Sequence, residues 1–263
     1  MARIYTIVNQ KGGVGKTTTA INLGAYLGAY GQKVLLIDLD PQTNATSCLG
    51  VEKKAIRAGT YEVIIGNTDL TSTILHNPRF KLSIVPSTPG LAGAEVELIA
   101  MENREFRLRD AISTVKDRYD YILIDCPPSL SILTVNGLVA AQDGVLIPVQ
   151  CEYLALEGLT QLTQTLTRAR NSLFPGLAVR GVILTMYDGR TNLAVDVVKE
   201  VRKYFSDRVF QTIIPRSIRA AEAPSFGEPI SIYAPESTAA RAYSELAKEI
   251  LLQDGVLIPE VLD

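Results

Sequence analysis

A doubly wound α/β fold, with a mainly parallel sheet and helices on both of its faces, follows from three features of this sequence. Apolar runs of strand length recur along the chain, most of them are continuous rather than alternating, and longer amphipathic stretches separate them. Continuous apolar strands are expected where helices cover both faces of a sheet, and a strand–helix rhythm favours parallel pairing. In chain order, the strands are expected at 4–8 (IYTIV), 34–37 (VLLI), 82–85 (LSIV), 121–124 (YILI), 145–149 (VLIPV), 182–186 (VILTM) and 209–214 (VFQTII). Helices are expected between and after them at 17–30, 104–118, 130–141, 156–173, 193–204 and 237–252. The stretch 50–79 has the weakest pattern and reads as a helical or loop insertion. Ligands of such sheets sit at the carboxyl ends of the strands, so the residues just after each strand are the ones to inspect.

The 263 residues are 47% apolar, with a mean hydropathy of +0.15, enough for a large core and too apolar for a disordered chain. No low-complexity linker, heptad seam or internal repeat interrupts the pattern, so residues 1–263 are expected to form a single domain of the P-loop NTPase type. No apolar run approaches the roughly 20 residues of a membrane span. The start, MARIYTIVNQKGG, turns polar too soon for a signal peptide. Cys48, Cys126 and Cys151 form no CxxC pair, which favours a reducing, cytoplasmic setting. With 26 basic and 28 acidic residues, the net charge of −2 argues against a generally basic nucleic-acid binder.

After the first strand comes Lys11-Gly12-Gly13-Val14-Gly15-Lys16-Thr17-Thr18. The full GxxxxGK[ST] pattern is not met, because Gln10 takes the place of its first glycine. The strand–GGVGKTT–helix order is nevertheless the context a phosphate loop requires. Glycines let backbone amides turn inward around phosphate oxygens, and the following helix adds partial positive charge. Lys16 is suited to neutralise the terminal phosphates of ATP, and the Thr17 hydroxyl to ligate Mg²⁺. Two further strand ends carry acids. In VLLIDLDPQ, Asp38 and Asp40 fall on one side of an extended segment; in YILIDCPPS, Asp125 stands where a carboxylate holds magnesium, often through water. A lone Asp at a strand end is ordinarily a turn former or helix cap; three of them beside a phosphate loop point to metal and water chemistry.

With Lys11 ahead of its glycines, KGGVGKTT resembles the deviant Walker A of the ParA/MinD family of ATPases. The likeness continues through LLIDLDPQTNATS, YDYILIDCPPSL, LIPVQCEYLALEGL, LTMYDGRTNL and IIPRSIRAAEAPSFGEPI, nearly the whole chain in family order. Within the family it is most similar to the short chromosomal ParA, Soj-type, partition ATPases. The resemblance implies a homodimer closed over two ATP molecules, with Lys11 reaching the phosphates held by the partner subunit. It also implies that Asp40 positions the attacking water, that Asp38 and Asp125 lie near the magnesium, and that Pro215 and Arg216 contact adenine. It implies nonspecific binding of double-stranded DNA by the ATP dimer, slow hydrolysis stimulated by a ParB-type partner, and a nucleoid-associated location.

The charge is unevenly spread. Residues 180–220 hold eight basic and four acidic side chains, whereas 221–263 hold two and eight. A basic stretch can become a stripe on one face, and a dimer doubles it. The resemblance assigns DNA contact to Arg190 and Arg219. Lys199, Arg202 and Lys203, on an intervening helix, are candidates that a simple solvated helix face explains equally well. No recognition-helix or aromatic-platform pattern is present, so contacts are expected to go to phosphate. Phe226 and Glu228 stand in SFGEPI where relatives often have His and Lys, which makes this edge less basic.

Three other readings compete. A MinD-like cell-division ATPase ends in a basic amphipathic helix that lies on lipid; here the end is LLQDGVLIPEVLD, acidic and interrupted by Gly255 and Pro259. An iron–sulfur reductase subunit shares the phosphate loop, but Cys126 and Cys151 match no cluster pattern and read as inert, buried thiols. A metabolic P-loop kinase or synthetase needs a small-substrate motif that the chain does not announce.

Overall fold

The computed structural model describes residues 1–153 and 155–258. The strands are β1 (Arg3–Ile7), β2 (Val34–Asp38), β3 (Leu75–Asn77), β4 (Leu82–Val85), β5 (Tyr121–Asp125), β6 (Gly144–Gln150), β7 (Val179–Tyr187) and β8 (Val209–Pro215). The first helices are α1 (Lys16–Ala29), α2 (Asn44–Cys48), α3 (Thr60–Ile65), α4 (Leu70–Thr73), α5 (Leu91–Glu97) and α6 (Arg107–Ser113). They are followed by α7 (Ile132–Ala140), α8 (Ala155–Ser172), α9 (Asn192–Phe205), α10 (Ile218–Glu222), α11 (Ile230–Tyr233) and α12 (Thr238–Gln253).

One sheet runs in the order β3-β4-β2-β5-β1-β6-β7-β8. Every neighbouring pair is parallel except β3 with β4. Alternate residues enter opposite cores. Ile4, Leu35, Ile37, Ile122 and Ile124 pack under a layer that includes α3 and α5–α9. Tyr5, Ile7, Leu36, Leu123 and Leu146 pack under α1, α11 and α12. Because both faces are covered, each strand reads as an unbroken apolar run. Each fully buried Leu or Ile contributes about 1.5–3 kcal/mol relative to leaving it exposed.

The stretch 50–79 is the connection from β2 to the sheet's far edge, not a plain insertion. It carries a 3-10 turn, α3, α4 and the short antiparallel strand β3. Val63, Ile64, Ile65 and Leu70 are buried in the first core, and their short segments are what hide the periodicity. The expected helix 104–118 shrinks to α6, because Asn103 takes a left-handed φ of 52° just upstream and a 3-10 turn at Lys116–Arg118 replaces its end. The short helices α2, α5, α10 and α11 had no separate signal in the sequence.

Two contacts hold the edges of this frame. At the amino end of the sheet, Asp254, just past α12, accepts hydrogen bonds from Tyr5 Oη (2.7 Å), Tyr121 Oη (2.9 Å) and Arg180 Nη2 (2.8 Å). The Asp254 side chain is 4% exposed, so the end of the last helix is pinned under β1, β5 and β7. Along the open edge strand β8, Glu249 of α12 accepts from Gln211 N and Thr212 N, and Arg202 of α9 donates to Gln211 O. These side chains occupy ladder positions that another strand would otherwise seek.

Candidate active site

β1 lies between β5 and β6, and the chain crosses from one half of the sheet to the other on either side of it. Its carboxyl end is therefore the topological switch point where α/β sheets bind ligands. The loop leaving it turns through Gly13 (φ 74°) and Gly15 (φ 87°) before α1 begins at Lys16. These left-handed positions cost little only for glycine. The chain itself holds the loop. Asn9 Nδ2 donates to Pro148 O at 2.8 Å, while Asn9 Oδ1 accepts Lys11 N at 3.0 Å. Thr185 Oγ1 donates to Val14 O at 2.9 Å, and Gln10 Nε2 reaches Thr165 Oγ1 of α8 at 3.0 Å. Lys16 folds back over the loop, its Nζ donating to Lys11 O at 3.1 Å. Burial lowers the Lys16 pKa, an effect opposed by the charges of Asp125 and Asp40.

Thr17 Oγ1 donates to Asp125 Oδ2 at 2.7 Å. The other carboxylate oxygen, Asp125 Oδ1, is buried without a hydrogen-bond partner. Burial, and then the charge of Asp38, raises the Asp125 pKa well above the usual carboxylate range. A hydroxyl beside an unpartnered buried carboxylate oxygen fits magnesium, which takes one or two protein oxygens and completes its shell with water and phosphate. Among the described residues no three His, Cys, Asp or Glu side chains converge on a metal position, so the protein alone offers no closed cage.

Asp38, the other carboxylate expected near the magnesium, is engaged here by its own segment. It pairs in register with Asp125 across β2 and β5, but its side chain turns to its own segment. Oδ1 accepts Asp40 N at 3.1 Å, and Oδ2 accepts Thr46 N at 2.8 Å and Thr46 Oγ1 at 2.6 Å. Both oxygens are engaged and the residue is fully buried, so Asp38 fixes the turn that carries Asp40. Burial pushes its pKa up to about 6. Asp40 lies just past β2, ahead of the turn at 41–42, and borders a cavity with the glycine loop, Asn44 and Cys48.

That cavity, of about 310 Å³, adjoins a second of about 270 Å³. Gly15, Thr18 and Met186 line both, and the second is completed by Pro215, Arg216 and Tyr243 among others. The two cavities are continuous along the glycine loop, one beside Lys16 and Thr17 and the other beside Pro215 and Arg216. Met186 and Tyr243 were not legible as site residues. Met186 reaches the site because β7 bulges and the residue takes a φ of 52°; Tyr243 comes from α12 and meets Thr19 at 3.3 Å. Cys48 also lines the first cavity, and burial pushes its thiol up to about 11. Burial likewise raises Cys126 and Cys151, the latter to about 11.

Lys11 pairs with Glu152, just past β6. Beside this pair a shallow cavity of about 570 Å³ is bordered by Gln10, Pro128, Leu130, Glu157 and Gln161. Leu130 and, nearby in sequence to Glu152, Tyr153 are exposed.

The basic candidates do not assemble into one patch. Arg190 and Arg219 follow the carboxyl ends of the neighbouring strands β7 and β8, at the nucleotide edge. Each is exposed and paired locally: Arg190 grips Asp188 at 2.6 and 2.8 Å, and Arg219 meets Glu222 at 3.1 Å. The Arg190 fork lowers the Asp188 carboxyl to about 2. Lys199, Arg202 and Lys203 lie along α9 as it runs back toward the amino end of β8. At 1.5 Å per helical residue the last of them stands roughly 20 Å from the Arg190 end. Lys199 pairs with Asp196 at 3.4 Å, Arg202 covers the β8 edge, and Lys203 is exposed. Arg180, counted in the basic stretch, is bound to Asp254 from the acidic tail. At the less basic edge, Glu228 pairs with Arg79 and Phe226 stacks on Tyr233.

Residues 2–179 match the family model described as AAA domain. Over 250 residues the chain is 52% identical to the sporulation initiation inhibitor protein Soj of Bacillus subtilis, covering 95% of this chain and 98% of that one. It is 51% identical over 255 residues to the chromosome partitioning protein ParA of Myxococcus xanthus, covering 97% and 89%. The chain belongs to the ParA/Soj family of partition ATPases. Its fold agrees: the septum site-determining protein MinD of Pyrococcus horikoshii, solved with Mg-ADP, superposes with a TM-score of 0.76 at 29% identity, covering 97% of this chain and 98% of that one. Among the described residues no helix is long and apolar enough to cross a membrane. The tail residues 259–263, on which the reading of an interrupted C-terminal helix partly rests, lie outside the described residues.

Proposed function

We propose that this ParA/Soj-family chain is an ATP-driven DNA-partitioning switch: with ATP and Mg²⁺ it pairs with a second copy, holds DNA without sequence preference, and lets go on hydrolysis. The observation that carries this reading is the division of labour between two lysines on one loop. Lys16 is folded over the glycine turn, whereas Lys11 pairs with Glu152 past β6. A lysine held by a partly exposed pair rather than folded over its own loop is available to the phosphates of a facing subunit, and this would link pairing to the bound nucleotide.

Thr17 and Asp125 would hold the magnesium, which supplies charge neutralisation between the terminal phosphates. Gly12, Gly13, Val14 and Gly15 present backbone amides to phosphate, Thr18 lies at the helix start, and Pro215 and Arg216 border the base. Asp40 accepts Gln42 N through Oδ1 at 2.9 Å and keeps its second oxygen for orienting a water. Its carbonyl is fixed by Thr43 N and Ser87 Oγ. Asp38 holds that turn rigid from below. Arg190 and Arg219 are the first candidates for phosphate contact, with Lys199, Arg202 and Lys203 as outlying ones. A ParB-type partner would set the rate of release, and the working location would be the nucleoid in the cytoplasm.

The test is retention of the protein on mixed-sequence duplex DNA with ATP, ADP or no nucleotide at two salt concentrations. Retention should need ATP and fall steeply with salt; equal retention in all three states sinks the reading. Asp40→Ala should keep ATP-dependent retention and lose phosphate release; normal turnover by this variant removes Asp40 from the mechanism.

A further inference from the structure

Between β2 and α2 the backbone is strained at one point. Thr43 is buried, takes a φ of 57°, and leaves its Oγ1 without a hydrogen-bond partner. A β-branched residue is disfavoured in the left-handed region, because its Cβ crowds the following carbonyl. Such a conformation persists only where the surrounding structure over-determines it. Here the surroundings are buried hydroxyls. Thr46 Oγ1 donates to Asp38 Oδ2 at 2.6 Å and accepts from Ser87 N at 2.8 Å. Ser87 Oγ donates to Asp40 O at 2.8 Å, while Asp38 Oδ1 accepts Asp40 N at 3.1 Å. These bonds form a closed circuit that begins on Asp40 N, passes through Asp38, Thr46 and Ser87, and returns to Asp40 O.

The circuit ties the end of β2 to the loop leaving its neighbour β4, where Ser87 lies. Thr60 braces the same junction, its N donating to Pro86 O and its Oγ1 to Asp38 O at 2.7 Å. Asp38, Thr46 and Ser87 are all 0% exposed, so solvent does not replace a bond that is lost. On α2, Asn44 and Cys48 line the cavity beside the glycine loop. Thr46, midway between them, is turned to Asp38 instead. The Thr46 hydroxyl is the one group in the circuit that serves as donor to one neighbour and acceptor from the next.

We propose that Thr46 is a positioning residue for ATP hydrolysis: its hydroxyl closes the circuit that holds Asp40 in place to orient water. The inference rests on the reading of Asp40 given above. Without that hydroxyl, Asp38 Oδ2 keeps only the Thr46 N bond at 2.8 Å, and Ser87 N is left buried and unpaired. The strain at Thr43 then shifts the segment that carries Asp40. A displacement of about 1 Å at a group that orients a reactant costs up to ~100-fold in rate. ATP binding is untouched, because the glycine loop is held separately by Asn9 and Thr185.

The experiment measures phosphate release by the full chain against ATP concentration, with Mg²⁺ and duplex DNA present. Thr46→Val keeps nearly the same shape without the hydroxyl, and should lower kcat roughly 10–100-fold while KM stays within about twofold. Thr46→Ser restores the hydroxyl and should recover most of the turnover. A residue that merely holds α2 on the fold would not give this split and rescue. Ser87→Ala should also lower kcat, and the double variant Thr46→Val with Ser87→Ala should fall short of the product of the two losses, because both act on one circuit. Native turnover by Thr46→Val, a rise in KM as large as the fall in kcat, or a Thr46→Ser variant no better than Thr46→Val overturns the inference. Should Thr46→Val fail to fold, native kcat in Ser87→Ala overturns it instead. If Asp40→Ala itself turns over normally, the reading of Asp40 falls and this inference with it; native turnover by Thr46→Val beside an inactive Asp40→Ala removes the inference alone.

Discussion

Asp125→Asn should push the protein in two opposite directions. Asp38 and Asp125 are fully buried, Asp40 is 5% exposed, and the cation acting on Asp125 is Lys16. Burial first, and then neighbouring negative charge, raises Asp125 well above its ordinary value; burial raises Asp38 to about 6. A carboxyl with a raised folded-state pKa binds its proton more tightly folded than unfolded. Its contribution to stability is then complete below the unfolded value and is lost as pH climbs through the folded one. For Asp38, the interval between 3.8 and about 6 corresponds to ~3 kcal/mol at about 1.4 kcal/mol per pKa unit. Asn at 125 removes one charge from this cluster, and its carbonyl can still accept from Thr17. Without nucleotide at pH 8 the variant should therefore gain about 1–3 kcal/mol, seen as a Tm several degrees higher. The gain should shrink as pH falls toward 4, where the native carboxyls carry protons. With Mg-ATP much of this gain should be offset, because magnesium loses its free oxygen. A loss of about 10–100-fold in magnesium-dependent affinity removes roughly 1.4–2.8 kcal/mol of ligand stabilisation. Melting curves at three pH values, with and without Mg-ATP, decide the matter. A variant that is less stable than the native chain without nucleotide at pH 8, or that keeps the full Mg-ATP increment, refutes the reasoning.

Asp254→Ala removes the carboxylate shared by Arg180 and two buried phenols, leaving Arg180 its bonds to Gln253 and Tyr5; it should cost about 3 kcal/mol and lower Tm by roughly 6–12 °C, whereas Arg3→Ala at an exposed pair should stay within about 1 kcal/mol. Calorimetry that finds equal effects contradicts the clasp. Lys11→Ala should bind ATP and sediment as a monomer, and an ATP-dependent dimer of this variant ends the cross-subunit role. Glu152→Gln frees Lys11 from a partly exposed pair worth up to about 1 kcal/mol, and should tighten ATP-dependent pairing by up to roughly fivefold per subunit; unchanged or weaker pairing counts against it. Arg190→Ala with Arg219→Ala should keep ATP turnover and pairing but lose DNA, with a salt slope lower by about one per arginine. The effect is strengthened because Asp188 and Glu222 are left uncompensated.

Much of the fold was legible because its strands are buried on both faces. β2, β4 and β5 announced themselves as VLLI, LSIV and YILI, and the long helices α8, α9 and α12 by their amphipathic spacing. What escaped was short: β3, α2, α5, α10 and α11 have too few residues to show a period. The phosphate loop was legible because its chemistry is local, a contiguous run of glycines, lysines and hydroxyls between a strand and a helix. The distinction between Asp38 and Asp125 was not. Both are Asp at the end of an apolar strand, and only the direction of each side chain separates one saturated by Thr46 and Asp40 from one with an oxygen to spare. Met186, Ser87 and Tyr243 gave no signal because their roles depend on a bulge, a buried turn and a helix more than 200 residues from the phosphate loop.

By itself, then, the sequence determined the layered architecture, the place of the phosphate loop and the family, since periodicity and contiguous motifs survive in one dimension. The tertiary structure decided which charges are free. Along the chain a basic stretch precedes an acidic tail; in space Asp254 returns to Arg180, while Asp188, Asp196 and Glu222 sit beside the cations nearest them. Electrostatic effect depends on separation through space and on burial rather than on position in the chain, so compensation and orientation appear only once the chain has folded.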